Sequence, residues 1–178
     1  ADVLVLDELD EMDPRAIPLL DQRLGHSAIR EIRAISTPTY PNIGIHSRFL
    51  ESDQHVWMVR CGGCGLDQEL TIEHLILEID ELQRPTRWNG DDEEDAWLAC
   101  ERCGSQLDRT GPGHWVAKHP DRQVRGYHLS QLFSSRTSLM QIIRELRSIK
   151  EAKRKEVMNQ RLGLPFTPRS EEHTSELQ

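Results

Sequence analysis

The chain has 178 residues, 37% hydrophobic and 29% charged, and its mean hydropathy of -0.61 describes a polar chain with room for one modest domain or parts of two. The longest aliphatic run, Val3 to Leu6, is far short of the roughly 20 apolar residues of a membrane helix, so no membrane span is expected. With 22 Lys and Arg against 30 Asp and Glu, the net charge of -8 argues against a stand-alone nucleic-acid binder and confines any such contact to local patches.

Val3-Leu4-Val5-Leu6 followed by Asp7-Glu8 has the pattern of a strand buried on both faces, as in a parallel sheet, with acids at its carboxyl edge. The chain opens inside this run without an initiator Met or a cap, which suggests residues upstream. Asp13-Pro14 offers an N-cap and a first-turn proline, and Ile17, Leu20 and Leu24 recur at helical spacing before Gly25. Ile32 to Ile35 reads as a second strand, closed by Ser36-Thr37-Pro38-Thr39. Strand, helix, strand with polar strand ends is an α/β signature. Between His55 and Lys118 the composition changes, all four cysteines and all four tryptophans lying there, as in an inserted module. Gly126 to Phe133 is expected to return as a strand. Ser138 with Gln141 forms a capping box opening a helix with Leu139, Ile142, Ile143, Leu146 and Ile149 on one face, and Gly163 and Pro165 mark its exit.

Cys61-x-x-Cys64 and Cys100-x-x-Cys103 are each followed by glycine, which permits the tight knuckle that points both thiolates at one ion. Without a signal peptide, a reducing compartment and a metal are favoured over disulfides. Four thiolates suit tetrahedral Zn2+ and leave no open position for water, so the ion would be structural. The alternative is two unrelated turns, and His55, His74 or His114 could substitute as ligands. Trp57 and Trp97 are expected to pack on the knuckles.

Four hydrophobes followed by Asp7-Glu8 match a Walker B segment, in which an acid at the end of a buried strand orients Mg2+ and the next carboxylate activates water. A solvated strand terminus remains the other reading. Asp10, Glu11 and Asp13 read as acids favoured by a helix N-terminus. Ser36, Thr37 and Thr39 could sense a γ-phosphate or simply form a turn. Arg144, Arg147, Lys150, Lys153, Arg154 and Lys155 could track phosphates or line a solvated helix face.

Taken in order, LVLDELDEMD at 4–13, STPTYPNIGIHSRFLESDQH at 36–55, CGGCG, CERCG, GYHLSQLFS at 126–134 and MNQRLGLPFTP at 158–168 resemble the large terminase subunit of tailed bacteriophages, the lambda-like branch of DNA-packaging motors. The resemblance implies a P-loop NTPase core of the ASCE type, an α/β parallel sheet, carrying a zinc-ribbon-like insertion. It divides the chain into the C-terminal part of an ATPase core at 1–54, the insertion at 55–118, and the last ATPase strand, basic helix and linker towards a nuclease domain at 119–168. It further implies that Asp7 holds Mg2+, that Glu8 activates water for ATP hydrolysis, and that Ser36, Thr37 and Thr39 couple hydrolysis to DNA movement. Cys61, Cys64, Cys100 and Cys103 would hold zinc. Partners would be double-stranded viral DNA, the portal or procapsid, the small terminase subunit and, in a homo-oligomeric ring, further copies, all in the bacterial host cytoplasm. Arg15, Arg23, Arg30 and Arg33 are candidates for an arginine acting on a neighbour's nucleotide.

Two departures limit the inheritance. No G-x-x-x-x-G-K-[ST] loop occurs, so this chain alone is expected not to hydrolyse ATP, and no nuclease carboxylates follow, so it is expected not to cut DNA. The last ten residues, RSEEHTSELQ, resemble the translation of a sequencing-adapter oligonucleotide and stand outside fold reasoning. The competing classes are a zinc-ribbon module binding nucleic acid or protein, and a superfamily-two-type helicase fragment.

Overall fold

The computed structural model describes residues 2–90 and 93–167; the adapter-like stretch at 169–178 and part of the acidic turn therefore lie outside the described residues. β1 (Val3–Asp7) and β2 (Glu31–Ile35) pair in parallel, Val3 opposite Glu31 and Asp7 opposite Ile35. Parallel pairing needs a crossover, and α1 (Ile17–Gln22) lies in it. The helix is shorter than Asp13-Pro14 suggests. Asp13 turns its carboxylate onto the backbone and guanidinium of Arg15, and its carbonyl closes a turn with Ala16. Burial of β1 on both faces is not seen: Leu6 is buried, but Val3 is 41% and Val5 57% exposed. Two strands with one crossover can cover only one face.

α2 (Gly44–Glu51) follows the Ser36–Thr39 loop and leads into β3 (His55–Arg60). β3 is the centre of an antiparallel sheet, flanked by β4 (Asp67–Glu69) and β7 (Gly113–Ala117). Trp57 faces Trp115 across the β3–β7 ladder in an edge-to-face pair at 5.2 Å and also approaches Phe133. It also packs against the apolar core cluster that holds Cys61 and Cys100. β5 (Ile76–Ile79) and β6 (Pro85–Trp88) form a hairpin whose turn is held by Asp80, which accepts from the Leu82 and Arg84 amides.

The strand expected over Gly126–Phe133 is reduced to one parallel bridge between His55 and Tyr127. Ser130 then accepts a bond from the Leu132 amide and opens a 3-10 turn, Gln131–Phe133, which drives Leu132 into the core. The final helix is also interrupted. α3 (Leu139–Leu146) and α4 (Glu151–Glu156) are separate, because Arg154 takes the Ser148 and Ile149 carbonyls that a continuous helix would use, and Ile149 is left 81% exposed. Ser138 makes no capping bond; Gln141 donates one turn along to Glu145 instead. A π-helical turn, Val157–Arg161, follows α4.

The apolar cluster runs from Val59, Cys61, Leu70, Leu75 and Leu98 to Ile142, Ile143, Leu146, Val157 and Leu162. One core therefore joins the cysteine-bearing segment to the C-terminal helices, crossing the compositional boundary near residue 118.

Candidate functional site

The two motifs singled out by sequence lie side by side. Asp7 ends β1 opposite Ile35, so Glu8 and Ser36 are the next residues on neighbouring strands. Both Asp7 and Glu8 are exposed. Glu8 has φ +53, a left-handed conformation that costs a non-glycine residue about 1 kcal/mol or more. It turns the chain off the strand into the 3-10 turn Leu9–Glu11, anchored by buried Leu9. Ser36, Thr37 and Thr39 are half-buried around a buried Pro38.

Asp10 lies in the first turn of its 3-10 helix, where an acid is favoured, but its hydrogen bonds go to a distant segment. Its amide donates to Ser36 Oγ at 3.0 Å. Its carboxylate accepts from Thr39 N and Thr39 Oγ1, both at 3.0 Å, and from Ile45 N in the first turn of α2 at 2.7 Å. No local side chain caps α2 at Ile43, so Asp10 caps it from 35 residues away. One turn into α2, His46 Nδ1 accepts from Asn42 N; burial pushes the imidazole below its ordinary pKa against the pull of Asp10. Glu11 is exposed and Asp13 pairs with Arg15.

The four cysteines converge, their Sγ atoms all within 4.8 Å of one another. Cys61 and Cys103 are 3.6 Å apart, as are Cys64 and Cys100. Tetrahedral Zn2+ with bonds of about 2.3 Å requires sulfurs about 3.8 Å apart, so this donor set fits the ion. The two knuckles repeat one geometry. Cys61 N donates to Leu66 O and Gly65 N returns to Cys61 O; Cys100 N donates to Ser105 O and Gly104 N returns to Cys100 O. Gly65 and Gly104 take φ +74 and +72, where a β-carbon would be strained.

Second contacts that no spacing announces orient the sulfurs. Buried Gln68 donates Nε2 to Cys100 Sγ at 3.2 Å and accepts the Glu101 amide, and Ser105 Oγ accepts from Cys103. The Gln68 bond helps bring the Cys100 thiol down to about 6. At Cys64 the Leu66 amide pulls the value down, but desolvation and the neighbouring thiols push it up to about 11. The histidines are engaged elsewhere: His55 with Asp53, His74 in a capping box with Thr71, and His114 opposite Met58 in the β3–β7 ladder.

The basic helix is largely tied down. Arg144 and Arg147 bind Glu93, Arg147 also lies over the Trp88 ring, Arg154 is buried, Lys153 pairs with Glu156, and Lys155 reaches the Tyr40 hydroxyl. Among the candidate arginines, Arg15 and Arg33 pair with Asp13 and Glu31, Arg30 binds the Gly25 and Ser27 carbonyls, and Arg23 is exposed.

An acid-ended strand beside a hydroxyl-rich loop on a parallel pair, joined to a four-thiol cluster, defines a mixed α/β protein with a strand-edge site and a metal-ready module. The family model of the phage terminase large subunit gpA, ATPase domain, matches residues 1–117, and the chain belongs to this family. The match takes in both strand-edge motifs and all four cysteines. Family membership implies an ATPase using ATP and Mg2+ in the parent protein, within a phage DNA-packaging motor whose partners are DNA and the portal or procapsid. No curated protein and no solved structure matches the chain. Among the described residues no helix is long and apolar enough to cross a membrane.

Proposed function

We propose that this chain is the middle portion of a terminase large subunit, coupling ATP hydrolysis to movement of double-stranded DNA into the procapsid. The observation that carries the reading is the register placing Asp7–Glu8 and Ser36–Thr39 at adjacent carboxyl ends of a parallel pair. Residues 1–54 then belong to an ASCE-type P-loop core, 55–118 form a zinc-ribbon-like insertion, and 119–168 lead towards a nuclease domain that cuts the DNA. The phosphate-binding loop would lie upstream, which is why this chain alone is not expected to turn over ATP.

Asp7 and Glu8 offer exposed oxygen donors at a rigid strand end, the donor type Mg2+ prefers. When bound, Mg2+ neutralises phosphate charge. Asp7 holds it, Glu8 accepts the proton of the attacking water, and Ser36, Thr37 and Thr39 respond to the state of the phosphates. Cys61, Cys64, Cys100 and Cys103 hold structural Zn2+, binding the two knuckles into one unit. A homo-oligomeric ring, the small subunit and the host cytoplasm complete the picture inherited from the family.

The test is ATP hydrolysis by the parent subunit with Glu8→Gln. We expect turnover to fall by at least about a hundredfold with nucleotide affinity retained, as for loss of a general base. Unchanged turnover would reduce the Asp7–Glu8 pair to a solvated strand end and move attention to the zinc module.

A further inference from the structure

Asp10 lies two residues beyond Glu8, in the 3-10 turn that the Glu11 amide closes onto the Glu8 carbonyl at 2.9 Å. Its place therefore sets where Glu8 stands. Four hydrogen bonds leave this residue for the segment between Ser36 and Ile45, and none belongs to the β1–β2 ladder. All three donors to its carboxylate carry N–H or O–H, so only an acceptor-only side chain satisfies them together. Approach is close enough to exclude a side chain on the facing residue: a β-carbon on Gly44, itself at φ +54, would overlap the Asp10 carboxylate. The contact continues beyond Thr39. The Thr39 carbonyl accepts the Phe166 amide at 3.1 Å and Asn159 Nδ2 at 3.3 Å, reaching the segment after α4.

We propose that Asp10 is a positioning residue that locks the Ser36–Thr39 loop to the Glu8 turn, so that movement at one is transmitted to the other and, through Thr39, to residues 157–166. The proposal rests on the roles given above to Glu8 and the Ser36–Thr39 loop. Asp10 touches no reacting atom in it; both Asp7 and Glu8 are exposed towards solvent, while Asp10 is engaged by internal donors.

The experiment uses the full-length large subunit and reads, in each preparation, the ratio of DNA-stimulated to DNA-free ATP turnover. A loss of folded protein lowers both rates and leaves the ratio unchanged. Asp10→Asn and Thr39→Val should each lower the ratio about tenfold, since the first removes the charge from three bonds and the second removes the hydroxyl bond between the two side chains. Thr39→Ser keeps the hydroxyl and should restore the ratio to within about twofold, and the double variant should be no worse than either single one, as expected of residues acting through one contact. Ratios within about twofold of wild type for Asp10→Asn, or losses that add in the double variant, would overturn the role of Asp10. Glu8→Gln assayed alongside separates the two claims: normal turnover there removes the catalytic reading, whereas an inactive Glu8→Gln with unaltered ratios removes only the lock.

Discussion

Asp53 shows how one side chain can close a neck in the chain. Its amide donates to Val124 O, its carbonyl accepts from His119 N, and its carboxylate accepts the Gly126 amide at 3.0 Å and binds His55 Nδ1 at 2.8 Å. Entry to and exit from the cysteine-bearing segment thus meet on one residue, reinforced by Arg122 donating to the Leu50 and Ser52 carbonyls. Burial would raise the Asp53 carboxyl, but the Gly126 amide, His55 and the charge of Arg125 more than offset it, leaving the group below its ordinary 3.8. A carboxyl lowered in the folded state stabilises above its unfolded value, and that contribution is lost as pH falls through the folded value. Asp53→Asn should therefore melt below wild type at pH 7, and the gap should narrow as pH falls below about 3.8. Thermal melts of both proteins at neutral and acid pH check this; a gap constant with pH would mean that the Asp53 charge is not what stabilises the neck.

Among the elements, the link between α3 and the π-helical turn is a buried-edge ion pair. Arg161 donates Nε and Nη2 to the two Glu145 oxygens at 2.6 and 2.7 Å, and both side chains are mostly covered. Removing one partner leaves the other poorly solvated, so Arg161→Ala should cost about 1–3 kcal/mol in denaturant unfolding, while an exposed pair such as Arg33–Glu31 should cost under about 1 kcal/mol. This pair was not legible in the sequence, because its residues are 16 apart across a helix break that Arg154 creates. Elements that depend on local chemistry were legible: β1 and β2 from their aliphatic runs, and the two knuckles from Cys-x-x-Cys-Gly. α2 was not, since its N-terminus is capped by Asp10 from a distant turn, and β3, β4 and β7 were not, since their alternation is blurred by Trp57, Trp115 and buried Gln68. The strand expected over 126–133 failed for a related reason: its apolar residues serve a turn that delivers Leu132 to the core.

At the scale of the whole molecule, charge and core point to different jobs for different parts. Between His55 and Lys118 there are 13 acidic and 6 basic residues, so nearly all of the net negative charge sits in the cysteine-bearing segment. Such a surface repels phosphate backbones, which argues against direct DNA readout by this segment and for a role in holding structure or meeting a protein. The shared core supports the structural role. Cys61 and Cys100 are themselves core residues packed with Leu98, Ile142, Ile143 and Val157. Losing the metal should loosen more than the knuckles. Chelation, or Cys61→Ser, should raise hydrogen exchange across β3, β4, β7, α3 and the π-helical turn together, because structural zinc sites contribute on the order of 10 kcal/mol to the fold they close. Exchange in β1 and β2 should stay near wild type, since those strands bury only Leu6, which with Leu9 of the following 3-10 turn stands outside that cluster. Metal analysis of reduced protein should give close to one zinc per chain. If zinc is absent, or if its removal frees the knuckles while α3 stays protected, the sulfurs do not organise the core, and the acidic segment must owe its shape to packing between β3 and α3 alone.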